Sequence, residues 1–148
     1  MVFIITATRP TSDREPTTGL PTDAQARSIL ARTYEHATRT TDALAFCAES
    51  EVRAICINQY NRGGGRASVP AQEPRIVGSW VTDETRVLTV CGVDGQGETY
   101  RSDFPVERRT DGTIIPLLDV FWDSNTYSGN KPDGEPVQAS VGPRKSSC

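Results

Sequence analysis

The chain has 148 residues, 36% of them hydrophobic, and its 12 glycines bring the apolar share close to the lower edge of globular composition. One domain is expected, and a chain of this size buries enough surface that neither a metal nor a disulfide is obligatory for folding. With 16 basic against 19 acidic residues the formal charge is -3, which argues against a phosphate backbone or an anionic membrane as partner.

All the basic residues except Lys131 and Lys145 are arginine, a bias that points to a GC-rich genome and carries no functional meaning. No run approaches the roughly 18 apolar residues that a membrane span needs. The chain nevertheless begins Met1-Val2-Phe3-Ile4-Ile5 and passes directly into a Thr/Pro-rich stretch ending at Pro21. Two readings of this start remain open: the end of a truncated signal or anchor helix, or a short apolar start that packs on the domain. Residues 6–21, with three prolines and few large apolar groups, are expected to form a linker, and residues 128–148 a disordered tail. The folded part is thus placed at residues 22–127, and no internal repeat is visible.

Thr22 followed by Gln25 matches a capping box, and Ala26, Ile29, Leu30, Tyr34 and Ala37 recur at helical spacing, which predicts a first helix over residues 23–38. Asp42 is expected to cap a short second turn through Leu44, Phe46 and Cys47. Ser50 is expected to cap a third helix with Val52, Ile55, Cys56, Gln59 and Tyr60 on one face, stopped by Gly63-Gly64-Gly65. Four segments rich in β-formers follow: Arg75 to Val81, Arg86 to Val93, Glu98 to Glu107 and Thr113 to Trp122. Their short connections force antiparallel neighbours, with Gly95, Gly97 and Gly112 expected to supply positive φ. Helices first and a curved four-stranded meander afterwards give an α+β fold with the helices on one face of the sheet.

This element order, the Phe46-Cys47 and Cys56 helices, and the closing run Leu117-Leu118-Asp119-Val120-Phe121-Trp122 resemble the nuclear transport factor 2-like superfamily over about residues 22–123. That superfamily shares a cone-shaped fold with ketosteroid isomerases and polyketide cyclases, and the chain looks like one of its exported, linker-tethered bacterial members. It departs from many of them in lacking a strand between the helices. The superfamily includes enzymes, carriers and structural domains, so membership would not settle function.

Cys47 and Cys56 lie nine positions apart on consecutive helical segments, a separation that a turn between antiparallel helices brings to disulfide distance. The alternative is two buried thiols. Cys91, between Val90 and Gly92, reads as a core residue, while Cys148 is open to pairing with Cys91, pairing with another chain, or remaining free. Cysteine spacings of nine, 35 and 57 contain no zinc half-site. No cofactor motif is present either: Gly63-Gly64-Gly65-Arg66 follows a helix and lacks the Gly-Lys-Ser/Thr ending of a phosphate loop.

His36, the single histidine, is expected to be exposed, which disfavours Ser/His/Asp and Cys/His mechanisms. Asp119 is the better chemical candidate, because burial inside an apolar strand would raise its pKa. Alternation would place it on the face of Leu117 and Phe121. There it would pair either with Tyr34 or Tyr100 as general base and hydrogen-bond donor, or with Arg101 or Arg86 in a structural ion pair. Trp80 and Trp122 read as core aromatics, with Trp80, Leu117, Phe121 and Trp122 the candidate pocket lining. Arg108 and Arg109, at a hairpin end, are expected to be solvated.

Two functional expectations follow. One is a non-enzymatic extracytoplasmic domain, secreted or membrane-tethered, that binds an envelope protein or a small apolar ligand without a cofactor. The other is a cofactor-independent isomerase, dehydratase or cyclase using Asp119; if residue 1 is a genuine start, the chain is cytoplasmic. Dimerisation through the sheet face is compatible with both.

Overall fold

A computed structural model of the chain describes residues 19–127 and Cys148. The expected apolar stub, most of the expected linker and the expected tail other than Cys148 lie outside the described residues. Three helices, α1 (Asp23–Arg39), α2 (Ala43–Phe46) and α3 (Arg53–Arg62), precede four strands, β1 (Arg75–Thr82), β2 (Thr85–Val93), β3 (Thr99–Arg108) and β4 (Ile114–Pro116). The strands form an open antiparallel sheet in the order β1-β2-β3-β4, so the fold is α+β. None of the described helices is long and apolar enough to cross a membrane.

Local chemistry sets the helix starts at α1 and α2. The Thr22 hydroxyl accepts from the Gln25 amide and the Gln25 side chain accepts from the Thr22 amide, the reciprocal pair that satisfies two otherwise orphaned donors. The Asp42 carboxylate accepts from the Ala45 amide 2.8 Å away. Helix α3 departs from expectation. Its N-cap is Val52, without a side-chain cap, while Ser50 lies outside the helix. Of its predicted apolar face only Cys56 and Tyr60 are buried; Val52 and Ile55 are 44% and 50% exposed. A short uncapped helix is held by what it packs against, and here the Cys56 disulfide, the Tyr60 ring and Ile57 meet the core while Gln59 and Arg62 bond to Asn125 and Asp123.

Residues Leu88 and Val90 of β2 and Phe104 and Val106 of β3 share the face that meets α1, where Ala26, Ile29, Leu30 and Ala37 are buried. A bulge between Ile76 and Gly78 shifts the β1–β2 register and bends the edge strand. The hairpin turns differ from expectation at one glycine. Gly97 and Gly112 have positive φ, as does Asp83 in the β1–β2 turn, but Gly95 does not. Gly95 serves close approach instead: its amide donates to the Ser68 carbonyl 2.9 Å away, and a Cβ there would lie 2.6 Å from the Val69 carbonyl oxygen.

The last strand is much shorter than the apolar run that encodes it. Pro116 has no amide to donate, pairing with β3 ends there, and only the Leu117 amide still reaches a β3 carbonyl, that of Pro105 at 2.9 Å. Val120, Phe121 and Trp122 then turn into the core. Residues 123–127 take the place of β4 beside the rest of β3: the Asp103 amide donates to the Asn125 carbonyl at 2.8 Å and the Tyr127 amide to the Asp103 carboxylate at 2.9 Å. Arg108 and Arg109 are not simply solvated. Arg108 donates to the Gly19 and Gly112 carbonyls and the Gln25 side chain, tying the start of α1 to the β3–β4 hairpin, and Arg109 pairs with Glu51.

Candidate functional site

Because the chain leaves the sheet at Pro116, Asp119 does not alternate with Leu117 and Phe121 on a strand face. It sits at a cleft of about 320 Å³ walled by Ile29, Arg32, Thr33 and His36 of α1, by Phe46, Glu49 and Ser50, and by β4. The Ser50 hydroxyl donates to Asp119 Oδ1 at 2.6 Å. Burial pushes the Asp119 carboxyl above its ordinary value; the Ser50 hydrogen bond, a backbone hydrogen bond and nearby His36 pull the other way without cancelling it.

The expected arginine partners are elsewhere. Arg86 donates to the Pro21 carbonyl at 2.7 Å and to Ser79 at 3.2 Å, and Arg101 stands opposite Cys91 in the β2–β3 ladder. The structural role foreseen for an ion pair is taken by a hydroxyl whose sequence position suggested a helix cap.

His36 is exposed, yet it borders this cleft. Its ring stacks on Phe46 with centroids 5.6 Å apart, and Nε2 lies 3.2 Å from the Phe46 carbonyl, where a protonated nitrogen donates. Serine, histidine and aspartate therefore meet in one cleft but are not wired as a relay: the Ser50 hydroxyl donates its hydrogen bond directly to the Asp119 carboxyl, and the imidazole faces a carbonyl.

Neither tyrosine proposed as a partner of Asp119 lines its cleft. Tyr34 is half-buried against the core. Tyr100 is buried on β3 opposite Gly92, and a Cβ at Gly92 would lie 2.6 Å from its hydroxyl oxygen, so the missing side chain makes room for the ring. Its hydroxyl has no hydrogen-bond partner among the described residues, and burial raises its pKa far above the usual phenol range, with Tyr34 and Asp94 adding to the effect. Tyr100 instead lines a second cleft of about 460 Å³, with Arg75, Cys91, Asp94 and Cys148 among its walls.

The four residues expected to line a pocket do not share one: Phe121 and Trp122 are core neighbours, and Leu117 and Trp80 are not part of that core cluster. Phe121 is fully buried among Tyr100, Phe104 and Trp122, and the Trp122 indole donates to Ser68 at 2.9 Å. Leu117 is half-buried past the end of β4, and Trp80 meets Tyr127 with ring centroids 6.3 Å apart. The space between helices and sheet is filled with aromatic rings, Phe46 and Tyr60 among them.

Cys47 and Cys56 form a disulfide between α2 and α3, their Cα atoms 5.7 Å apart. Cys91 is a core residue by burial and at the same time a partner, bonded to Cys148. The sequence reading missed Ser50, Glu49 and Arg32 as neighbours of Asp119. A carboxyl in an apolar run signals that some polar partner must exist, but nothing local identifies it.

Comparison of the chain with protein families, with curated proteins and with solved structures found no match.

Proposed function

We propose that the chain is an extracytoplasmic, non-enzymatic binding domain whose recognition site is the Asp119 cleft. The observation that carries this reading is that aromatic side chains fill the interior between helices and sheet, while Asp119 sits in an open groove. A groove of this size takes a side chain of an envelope protein or a small ligand: Ile29, Phe46, Ile114 and Ile115 supply apolar contact, and Arg32, Glu49 and Asp119 supply polarity. The two disulfides fit an oxidising compartment, where such bonds persist. Helices ahead of an antiparallel meander also support placing the chain with the nuclear transport factor 2-like superfamily.

A photo-crosslinking residue at Ile115, in protein produced in its native host, tests the reading against the same residue at Val77 on the far strand. The expected result is an adduct of defined mass from position 115, absent from position 77 and lost when Asp119→Ala is added. Equal labelling from both positions, or none from position 115, would sink the binding reading. Four reduced thiols in the same preparation would remove the extracytoplasmic part and favour a cytoplasmic enzyme built on the raised Asp119 carboxyl.

A further inference from the structure

The two disulfides differ in what surrounds them. Cys47 and Cys56 are 0% and 2% exposed, so both sulfurs are enclosed by the core. Cys91 is also buried, but Cys148 is only half-buried and the pair borders the 460 Å³ cleft. Thiol–disulfide exchange needs a thiolate to approach one sulfur, so access selects which bond reacts and at which atom.

Charge around the pair points the same way. In the antiparallel ladder Arg75 of β1 and Arg101 of β3 stand directly opposite Cys91, and directly opposed residues share a sheet face within a few ångströms. Arg75 also donates to a terminal main-chain oxygen of Cys148, so part of its charge is met there. Two arginines flanking Cys91 in the ladder bring positive charge to its side of the sheet, which favours its thiolate and makes it the better leaving group. Glu73 and Asp94, which also line the cleft, oppose this but are not its ladder neighbours.

We infer that Cys91–Cys148 is a thiol–disulfide exchange site for a low-molecular-weight thiol, with attack at Cys148 and Cys91 as the leaving group. The incoming thiolate forms a bond to Cys148 Sγ, the Cys91–Cys148 bond breaks, and its electron pair leaves on Cys91 Sγ as a thiolate beside Arg75 and Arg101. A second thiol then attacks the sulfur of the first in the mixed disulfide. It leaves Cys148 reduced and carries the two thiols away as their own disulfide.

The full disulfide-bonded chain, exposed to graded glutathione under native conditions and quenched with iodoacetamide, provides the test. Cleavage after glutamate places the four cysteines on four different peptides, because Glu49, Glu51, Glu84, Glu98 and Glu135 lie between or around them. The expected result is carbamidomethylated Cys91 with glutathione on Cys148, formed about tenfold or more faster than any change at Cys47 or Cys56. Glutathione on Cys91, or both pairs opening together, would overturn the inference. Arg75→Gln with Arg101→Gln is expected to slow exchange at Cys91–Cys148 severalfold, with Arg75→Lys and Arg101→Lys restoring it and Cys47–Cys56 as internal standard. An unchanged ratio in the glutamine variant would overturn the assignment of Cys91 as the stabilised leaving group.

Discussion

At Asp119, desolvation outweighs a good hydrogen bond, and the sign of the resulting pH dependence follows from that. A carboxyl whose folded pKa lies above its unfolded value keeps its proton in the native state over a range where the unfolded chain has lost it. Its contribution is fully present below the unfolded value of 3.8 and disappears as pH rises through the higher folded value. Asp119→Asn retains an oxygen for the Ser50 hydroxyl and cannot ionise. Thermal melts between about pH 4 and 7 should show a flatter stability profile for this variant, and a melting temperature at neutral pH equal to or above that of the parent. A loss of stability at every pH would instead mean that the charged carboxylate is the form the fold requires. That Asp119 is unusual was legible from a charge set in an apolar run. Its partner was not, since Ser50 lies 69 positions away and a serine before a helical pattern reads equally well as a cap.

The elements divide by how local their causes are. Capping at Thr22 and Asp42 involves residues three apart and was readable, as were the hairpin turns at Gly97 and Gly112. The β4 boundary was not, because apolar residues that continue a strand and apolar residues that turn into a core look alike in sequence. Gly95 makes the same point within a turn. Its need for glycine comes from the carbonyls of Ala67 and Val69, nearly thirty residues upstream, and not from its own φ. Gly95→Ala forces a methyl group against backbone that cannot rotate away, and we expect a loss of about 2–3 kcal/mol in urea unfolding. Gly97→Ala, at φ +84 with nothing within 4 Å, should cost only about 1 kcal/mol, through conformation alone. Equal losses at the two glycines would show that the packing of residues 67–69 on the β2–β3 turn is not what position 95 serves.

Across the whole molecule, the two covalent links constrain the unfolded chain to different degrees. Cys47–Cys56 closes a separation of nine residues and Cys91–Cys148 one of 57. Loop-closure entropy assigns them about 2.7 and about 4.2 kcal/mol respectively. Replacing each pair with serine and comparing urea midpoints should therefore show the larger loss for Cys91→Ser with Cys148→Ser, although that pair is the more accessible one. The reverse order would mean that packing around α2 and α3, where Cys47 and Cys56 are both buried in the core, outweighs chain entropy. The long link also shows why the pairing of Cys91 with Cys148 stayed open in the sequence: Cys91 has every local mark of a core residue, and burial in a strand does not distinguish a thiol from half of a disulfide.

Local chemistry was enough for the α+β class, the helix-before-sheet order, two helix caps and the meander, because each is written in neighbouring residues; it made the Cys47–Cys56 bond one of two readings, and the fold closed it. The assembled fold decided the rest. It placed Asp119 in an open cleft beside Ser50 and His36 and Tyr100 in a separate one; it also filled the interior with aromatic rings and joined Cys91 to Cys148. Those juxtapositions bring together side chains tens of residues apart, and composition, period and spacing describe a chain only along its own length.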